Sequence, residues 1–317
     1  MTILIVTPAG RGSRKGNRVT ALRWAEHLRA LGHRVRLEER WGGEPCDVLV
    51  ALHATRSHGS VAAWRERFPA APLVVGLAGT DLYQDLPAST DALRSLELAT
   101  LVTVLQPAAA GSVPAPFRDK VRVIVQSANP AVPIAAPPGA VQVCMLAHLR
   151  PVKDPLLAAD AVRRLPPASR VRVVHLGAAL DEGAAARARR ESASNPRYTW
   201  IGELRRRQAL GMLAGSAALL VTSRLEGGAN AVSEAVASGV PVLSTRIDGT
   251  VGLLGPAYPG YYPVGDAPAL ALLLDRLERD DGFRPALRAG VDAVRPLVEP
   301  RRERQAWRSL LRELAGD

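Results

Sequence analysis

The amino-acid sequence predicts an α/β protein made of two consecutive Rossmann-like domains that face a cleft. Short apolar runs alternate with amphipathic segments along the chain, a pattern typical of parallel sheets covered by helices on both faces. Four prolines occur in the thirteen residues 127–139, where neither a helix nor an interior strand can continue. The same alternation restarts after this stretch, and 317 residues are enough for two domains.

The first half of the chain contains six apolar runs of strand length. Strands are predicted at residues 3–6, 35–37, 48–52, 73–77, 101–105 and 121–125, and helices at 18–30, 60–68 and 91–98. The first helix has apolar residues at helical spacing and ends at Leu31-Gly32, a typical C-terminal signal. The predicted N-terminal domain covers residues 1–136.

The second half repeats this order. Strands are predicted at residues 141–146, 171–176, 198–201, 217–221 and 240–244, and helices at 155–165, 184–191, 205–213, 229–238, 266–279 and 301–314. The predicted C-terminal domain covers residues 137–300, and residues 301–317 are expected to pack back on the N-terminal domain.

Composition excludes several classes of protein. Hydrophobic residues make up 47% and charged residues 22% of the chain, which excludes intrinsic disorder. No apolar run approaches the length of a transmembrane helix. The chain starts directly with a strand-like run and no basic leader, so a cytoplasmic protein is expected. Cys46 and Cys144 form no metal-ligand spacing and are expected to be buried structural thiols.

The chain is strongly basic, with a formal net charge of +11, and only three of its 41 basic residues are lysine. Such a surplus indicates an anionic partner. The basic residues are scattered, with short clusters at 11–18, 187–190, 204–207 and 301–304, and aromatic residues make up only 4%. This pattern argues against nucleic acid and membranes as partners and leaves phosphorylated small molecules.

The most informative motif lies between residues 223 and 243, where a strand, a glycine loop, a helix and another strand follow one another. Gly227 and Gly228 let the backbone pass close to a ligand, and their amides with the next helix N-terminus suit a diphosphate. Glu226 and Glu234 flank this loop, and their carboxylates can accept hydrogen bonds from sugar hydroxyls.

This motif resembles the signature of the family 4 retaining glycosyltransferases, which have the GT-B fold. The resemblance implies that Glu234 binds the ribose of a nucleotide and that Glu226 lies near the donor sugar as a catalytic candidate. Gly227, Gly228 and Asn230 complete the implied donor-binding segment.

A second family element follows the predicted strand 141–146. The family has an arginine there and a lysine five residues later, both on the donor diphosphate. Lys153 fits the lysine position, where its charge would stabilise the leaving group as a catalytic contribution. His148 occupies the arginine position and Arg150 follows two residues later, so either can supply the second contact.

A glycine-rich loop also follows the first predicted strand. Its glycines give GxGxxxG, one residue off the dinucleotide fingerprint, and Glu38 and Glu39 lie about 20 residues further on, where that fingerprint needs an acid. The basic residues between the glycines favour a small, highly charged anion instead, and a plain basic surface loop is the third interpretation. The resemblance implies an acceptor-binding loop formed by Gly12, Ser13, Arg14, Lys15, Gly16 and Asn17.

Two further catalytic candidates follow predicted strands of the first half. His53 comes directly after residues 48–52, and Asp81 belongs to a Gly-Thr-Asp segment after residues 73–77. Thr80 and Asp81 could instead cap the following turn. No DxD or other carboxylate cluster with metal-ligand spacing is present, so no metal is expected, and GT-B enzymes neutralise the diphosphate with helix dipoles and basic side chains.

Within the family, residues 5–24, 39–47, 51–58 and 79–83 resemble the selenosugar synthase subfamily of selenoneine biosynthesis. That resemblance implies a UDP-sugar donor, either UDP-N-acetylglucosamine or UDP-glucose, selenophosphate as acceptor, a 1-selenosugar as product, and no cofactor. The alternatives are a GT-B enzyme with an ordinary hydroxyl acceptor and, less favoured, a nicotinamide-dependent oxidoreductase that uses the first glycine loop.

Overall fold

A computed structural model describes residues 1–13 and 16–316. The chain divides into two compact units. Unit 1 comprises Met1–Gln126, Glu226–Gly228 and the chain from Pro300 onward, and unit 2 comprises Ser127–Leu225 and Ala229–Glu299. The first division falls at Gln126, before the proline-rich stretch, and not at residue 136, where the domain boundary was predicted.

The chain forms twelve strands and twelve α-helices within the described residues. The strands are β1 (Thr2–Val6), β2 (Arg34–Glu38), β3 (Val48–Leu52), β4 (Leu73–Gly76), β5 (Leu101–Val104), β6 (Val121–Val123), β7 (Val141–Leu146), β8 (Val171–Leu176), β9 (Tyr198–Trp200), β10 (Ala218–Val221), β11 (Val242–Thr245) and β12 (Tyr261–Tyr262). The helices are α1 (Gly16–Ala30), α2 (His58–Arg67), α3 (Thr90–Leu98), α4 (Ala109–Ser112), α5 (Leu157–Arg163), α6 (Glu182–Ser194), α7 (Arg206–Ala214), α8 (Asn230–Ala237), α9 (Asp248–Leu254), α10 (Ala267–Arg279), α11 (Phe283–Val294) and α12 (Pro300–Ala315). Short 3-10 helices cover Ala115–Lys120, Pro151–Lys153 and Arg295–Val298, and Asp81–Asp85 forms one π-helical turn.

Unit 1 contains a parallel six-stranded sheet in the order β2-β1-β3-β4-β5-β6. Strands β3, β4 and β5 are buried along their whole length, because helices cover both faces of the sheet. The strand order reverses at β1, so the carboxyl ends of β1 and β3 mark the position where ligands bind in sheets of this type.

The C-terminal helix α12 belongs to unit 1 and packs on α1. The indole rings of Trp24 and Trp307 meet edge to face with their centroids 5.1 Å apart, and both side chains are fully buried. The buried carboxylate of Glu303 accepts hydrogen bonds from Nε of Arg23, at 3.1 and 3.0 Å, and lies 3.2 Å from Nε2 of His27. A buried charge that is paired in this way fixes where α12 lies on α1.

Unit 2 contains a second parallel six-stranded sheet, in the order β12-β11-β10-β7-β8-β9. Strands β8 and β9 lie on one side of β7 and the last three strands of the unit lie on the other, which is the Rossmann order. The order reverses between β7 and β10, whose register pairs Ala218 with Val143 and Leu219 with Cys144. The carboxyl ends of these two strands are therefore the expected ligand position of unit 2.

The proline-rich stretch packs on unit 2. The amide of Ile134 donates to the carbonyl of Gly211 in α7 over 2.8 Å. A Cβ atom on Gly215 would lie 1.8 Å from the carbonyl oxygen of Ile134, and one on Gly211 would lie 2.8 Å from its side chain. Because two glycines allow this close approach, the stretch belongs to unit 2 from Ser127 onward.

The cysteines differ in their surroundings. Cys144 is buried in β7 as expected, whereas Cys46 is only half-buried. Burial is the main cause that raises the pKa of Cys46 to about 11, so this thiol is protonated at neutral pH. Among the described helices, none has the length and apolar character required to cross a membrane.

Candidate active site

The loop after β7 in unit 2 carries three of the predicted donor-binding residues, and it is tied to the chain that leaves β10. Oγ1 of Thr222 donates to the carbonyl of Lys153 over 2.6 Å, and the amide of Arg224 donates to the carbonyl of Val152 over 2.8 Å. The guanidinium of Arg224 also pairs with Asp154 at 2.8 Å. These bonds fix the backbone from which the Lys153 side chain extends.

His148 is held by its ring. Its Nδ1 accepts a hydrogen bond from the amide of Ala178 over 3.0 Å, so the neutral ring carries its proton on Nε2. Leu149 is buried and forms a bridge with Ala179. His148 and Arg150 stand on either side of this buried leucine, and both are half-buried. No side-chain hydrogen bond fixes Arg150 within the described chain, so His148 is the better oriented of the two.

Gly177 lets the loop after β8 approach His148 closely enough for the hydrogen bond from Ala178. A Cβ atom on Gly177 would lie 1.9 Å from the carbonyl oxygen of Ala147 and 2.8 Å from the amide nitrogen of His148. Any side chain at residue 177 would therefore push the loop after β8 away from the loop after β7. The hydrogen bond between Ala178 and His148 depends on this approach.

The buried side chain of His175 also holds the loop after β7 in place. Nε2 of His175 donates to the carbonyl of Ala147 over 2.9 Å, and its Nδ1 lies 2.7 Å from the hydroxyl of Tyr198. Burial lowers the pKa of His175 to about 4, so the ring is neutral at physiological pH. No sequence pattern singled out His175, which is one of two polar residues in the otherwise apolar strand β8.

Glu234 projects from α8 into a buried position, with only 8% of its side chain exposed. Its Oε1 accepts a hydrogen bond from Nη2 of Arg206 over 2.6 Å. Burial raises the pKa of Cys144 to about 12, and the charge of Glu234 adds to this effect. The carboxylate therefore lies near β7, the strand that leads to His148. Asn230 is the first residue of α8, one position later than the predicted start at residue 229.

The segment Glu226–Gly228 belongs to unit 1, whereas the helix that follows it in sequence, α8, belongs to unit 2. A Cβ atom on Gly227 would lie 2.5 Å from the amide nitrogen of Gly79, and one on Gly228 would lie 2.6 Å from Cβ of Leu105. The close approach of a ligand was the reason expected for these two glycines. The structure gives a different requirement, because the backbone at Gly79 and the side chain of Leu105 occupy the space that side chains at these positions would need.

His53 and Asp81 lie together at the carboxyl end of the unit 1 sheet. Nδ1 of His53 is 3.2 Å from Oδ1 of Asp81, and both side chains are fully buried. Asp81 also accepts the amide of Ala54 over 2.9 Å and, more weakly, those of Thr55 and Ala78 over 3.4 Å. The carboxylate thus holds the chain after β3 to the chain after β4, and it does not act as the cap of the following turn that the sequence also allowed.

A second acidic residue, Asp85, completes this cluster. Its Oδ2 lies 3.6 Å from Nε2 of His53, a buried atom with no hydrogen-bond partner among the described residues. One ligand atom from each of His53, Asp81 and Asp85 lies within 4.8 Å of the other two, a spacing that could hold a metal ion. Sequence reasoning overlooked this cluster, because Asp85 is four residues after Asp81 and His53 comes from a different strand. The backbone amides and His53 already occupy the Asp81 carboxylate, so its capacity for an ion is small.

The predicted acceptor loop is described in part. Arg14 and Lys15 lie outside the described residues. Gly12 has a φ of +82°, and the amide of Ser13 closes a turn on the carbonyl of Gly10 over 3.1 Å. Gly16 and Asn17 open α1, where the free amides of a first turn favour anions.

Acidic residues also approach this loop. A Cβ atom on Gly10 would lie 2.8 Å from a carboxylate oxygen of Glu39, and the exposed guanidinium of Arg11 is 3.9 Å from Glu38. The carboxylates of Glu38, in β2, and Glu39, directly after it, therefore balance part of the basic charge of this loop.

The model of the family described as glycosyl transferases group 1 matches residues 132–290, half of the chain. Among curated proteins, none matches this chain. Sucrose-phosphate synthase from Thermosynechococcus elongatus is similar in structure, with a TM-score of 0.81, 17% sequence identity and coverage of 99% of each chain.

Two further solved structures have the same fold. Alr3699/HepE from Anabaena in complex with UDP has a TM-score of 0.77 and 16% identity, with 99% of this chain and 100% of that chain covered. A glycosyltransferase from Rickettsia africae has a TM-score of 0.74 and 15% identity, with 99% and 98% covered. The predicted fold class is confirmed: the chain is an α/β protein of the GT-B type with two Rossmann-like sheets.

Proposed function

The chain belongs to the group 1 glycosyltransferases, and we propose that it transfers a sugar from a UDP-sugar to selenophosphate. The donor would be UDP-N-acetylglucosamine or UDP-glucose, and the product a 1-selenosugar for selenoneine biosynthesis. The choice of a uridine nucleotide is supported by the Anabaena relative, which was solved with UDP and with UDP-glucose. The choice of acceptor rests on the sequence resemblance to selenosugar synthases.

The observation that carries the donor half of this proposal is the anchored loop after β7. Lys153 starts from a backbone that Thr222 and Arg224 hold in place. In the proposed complex its ammonium group lies against the diphosphate and stabilises the charge that UDP gains as the sugar leaves. Glu234, on helix α8 of the same unit, accepts the hydroxyls of the ribose in this complex.

His148 is the second diphosphate contact in this proposal. The bond from Ala178 to Nδ1 leaves Nε2–H as a directed donor, whereas Arg150 has no comparable support. At this position the family has a charged arginine, whereas Nε2–H of a neutral ring carries no charge. The hydrogen bond from His148 to the diphosphate is therefore weaker, and Lys153 carries most of the electrostatic stabilisation.

The proposal that selenophosphate is the acceptor is supported by the chemical properties of that anion. Selenophosphate is a small multivalent anion whose selenium is already nucleophilic, so its attack requires no general base. A selenium electron pair forms the bond to C1 of the sugar, and the bond between C1 and the diphosphate oxygen breaks with its electron pair leaving on UDP. The selenium still carries its phosphoryl group at this point, so water must then cleave the bond between phosphorus and selenium to release phosphate and the 1-selenosugar. The enzyme must hold the two reactants together and stabilise UDP. The basic loop at residues 11–17 and the first turn of α1 are the proposed anion site.

A product assay tests the proposal. The protein is incubated with selenophosphate and separate UDP-sugars, and mass spectrometry follows UDP and any sugar with the selenium isotope pattern. The proposal expects equal amounts of UDP and selenosugar with one preferred donor. UDP release that depends on an added hydroxyl compound and yields no selenosugar would support the hydroxyl-acceptor alternative. Tight NADH binding without UDP binding would support an oxidoreductase.

A further inference from the structure

Three consecutive arginines stand at the start of α7 within the basic cluster at residues 204–207, and one of them has a specific partner. Nη2 of Arg206 lies 2.6 Å from Oε1 of Glu234. Within the described chain, the side chains of Arg205 and Arg207 make no comparable contact. The pair joins two different helices of unit 2, because Arg206 is the first residue of α7 and Glu234 lies in α8.

The two partners differ in exposure. The side chain of Arg206 is 58% exposed, whereas that of Glu234 is only 8% exposed. A carboxylate that is nearly buried loses most of its hydration and keeps its charge only if a partner replaces that hydration. The guanidinium of Arg206 supplies this replacement from the solvent side, and its planar group also restricts the orientation of the carboxylate.

We propose that Arg206 is a positioning residue of the donor site, which keeps Glu234 ionised and oriented so that its carboxylate accepts the ribose hydroxyls. This inference rests on the proposed function, because it concerns the same UDP-sugar. Arg206 needs no contact with the nucleotide for this role. The requirement comes from hydrogen-bond chemistry: an ionised carboxylate only accepts, as two hydroxyl donors need, whereas a protonated one turns one of its oxygens into a donor.

Removal of Arg206 takes away the guanidinium that donates to Oε1 of this buried carboxylate. The carboxylate then loses the orientation that the bond gives it or takes up a proton, and in both cases it accepts the ribose hydroxyls less well. The diphosphate contacts from the loop after β7 do not involve Arg206. The defect should therefore depend on the ribose hydroxyls and not on the phosphates.

The experiment compares two ligands on four proteins. Titration calorimetry measures the binding of UDP and of 2′,3′-dideoxy-UDP to the wild type, Arg206→Ala, Arg206→Lys and Arg207→Ala. Arg206→Ala should bind UDP roughly 10- to 100-fold more weakly, the range expected when a charge-assisted hydrogen bond is lost. Its binding of the dideoxy ligand should change little. Arg206→Lys should recover part of the loss, and Arg207→Ala, an equal change in net charge, should bind like the wild type.

Kinetics supply a second readout. Arg206→Ala should raise KM for the UDP-sugar with a smaller effect on kcat, because the ribose contact is present in both the ground state and the transition state. If Arg206→Ala retains wild-type affinity for UDP and the wild-type preference over the dideoxy ligand, the inference is wrong. If the alanine variant does not fold, the same comparison is made with Arg206→Lys and Arg206→Gln. The inference is then contradicted if both variants prefer UDP over the dideoxy ligand as strongly as the wild type does. Failure of the proposed function appears instead in the wild type, which would then bind no UDP.

Discussion

The imidazole of His53 and the carboxylate of Asp81 form a fully buried pair, with Nδ1 3.2 Å from Oδ1. The pair is anchored by the amide of Ala54, which donates to Asp81 over 2.9 Å. His53 itself has a φ of +82°, a conformation that a non-glycine residue adopts only where the surroundings hold it. Asp81 thus determines both the backbone after β3 and the orientation of the imidazole ring.

We therefore expect Asp81→Asn to destabilise the protein by about 1–3 kcal/mol, because an amide group cannot accept all the donors that face this carboxylate. Sugar transfer should fall as well, since His53 loses its orientation. Denaturant unfolding measures the stability, and the product assay measures the transfer. Asp85→Asn is the matched control, because Asp85 is partly exposed and accepts no backbone amide among the described contacts. Equal stability of Asp81→Asn and wild type would show that the pair is not structural.

Metal removal tests whether an ion bound by His53, Asp81 and Asp85 is needed for sugar transfer. The proposed chemistry relies on Lys153 and His148 for the diphosphate, so dialysis against EDTA should leave the transfer rate unchanged. The measurement is the rate of UDP release before and after dialysis, followed by addition of Mn²⁺ or Zn²⁺. A loss of activity that metal restores, and that His53→Ala abolishes, would instead assign a metal ion to His53, Asp81 and Asp85.

The buried His175 predicts a specific pH dependence of stability. Its pKa is lowered by burial to about 4 in the folded protein, against an ordinary value of 6.5. Because the unfolded chain binds a proton that the folded chain excludes, stability falls as the pH drops from about 6.5 to about 4, by roughly 3 kcal/mol in total.

Urea unfolding at pH 7 and pH 4.5 measures this effect in the wild type and in His175→Gln. The glutamine variant should be less stable at pH 7, since it leaves the carbonyl of Ala147 or the hydroxyl of Tyr198 without a partner. Its stability should decrease less between the two pH values. If both proteins lose the same free energy of unfolding on acidification, His175 does not titrate as described.

Two substitutions separate the two ring nitrogens of His148. Asparagine retains an acceptor near the Nδ1 position and so keeps the bond from Ala178, but it lacks the Nε2 donor. Glutamine retains a donor near the Nε2 position and lacks the acceptor. We expect His148→Asn to weaken UDP binding roughly tenfold while uridine binding stays the same, and His148→Gln to retain more UDP affinity.

The measurement is calorimetric titration with UDP and with uridine, and Arg150→Ala is the comparison that decides between the two candidate contacts. Should Arg150→Ala lose UDP affinity while His148→Asn does not, the diphosphate contact belongs to Arg150.

Local patterns in the sequence were sufficient for the alternation of strands and helices, since buried parallel strands appear as apolar runs and surface helices as amphipathic ones. They were not sufficient for α9, α11 or β12. Strand β12 has two residues and exists because it pairs with β11. Helix α11 begins after Asp280, whose carboxylate accepts the amides of Gly282 and Phe283. Because α11 contains glycine, proline and arginine, its apolar face is difficult to recognise from the sequence.

The candidate site shows the same limit. The sequence indicated Glu234, Lys153 and His148 because each belongs to a local motif. It did not indicate Arg206, His175 or Asp85, whose partners lie 28, 23 and 32 residues away in the chain. Pairs of this kind depend on how the elements pack, and no spacing in the sequence encodes them. The position of Gly227 against Gly79 is a further example, because a glycine pair in a loop is compatible with contact to a ligand or to the protein.

We propose that unit 2 binds uridine diphosphate at the carboxyl ends of β7 and β10. A crystal structure of the protein soaked with UDP is the decisive experiment. We expect the diphosphate within hydrogen-bond distance of His148 Nε2 and Lys153 Nζ, with the ribose hydroxyls on the carboxylate of Glu234. Electron density for UDP at any other position, with these three side chains unoccupied, would contradict it.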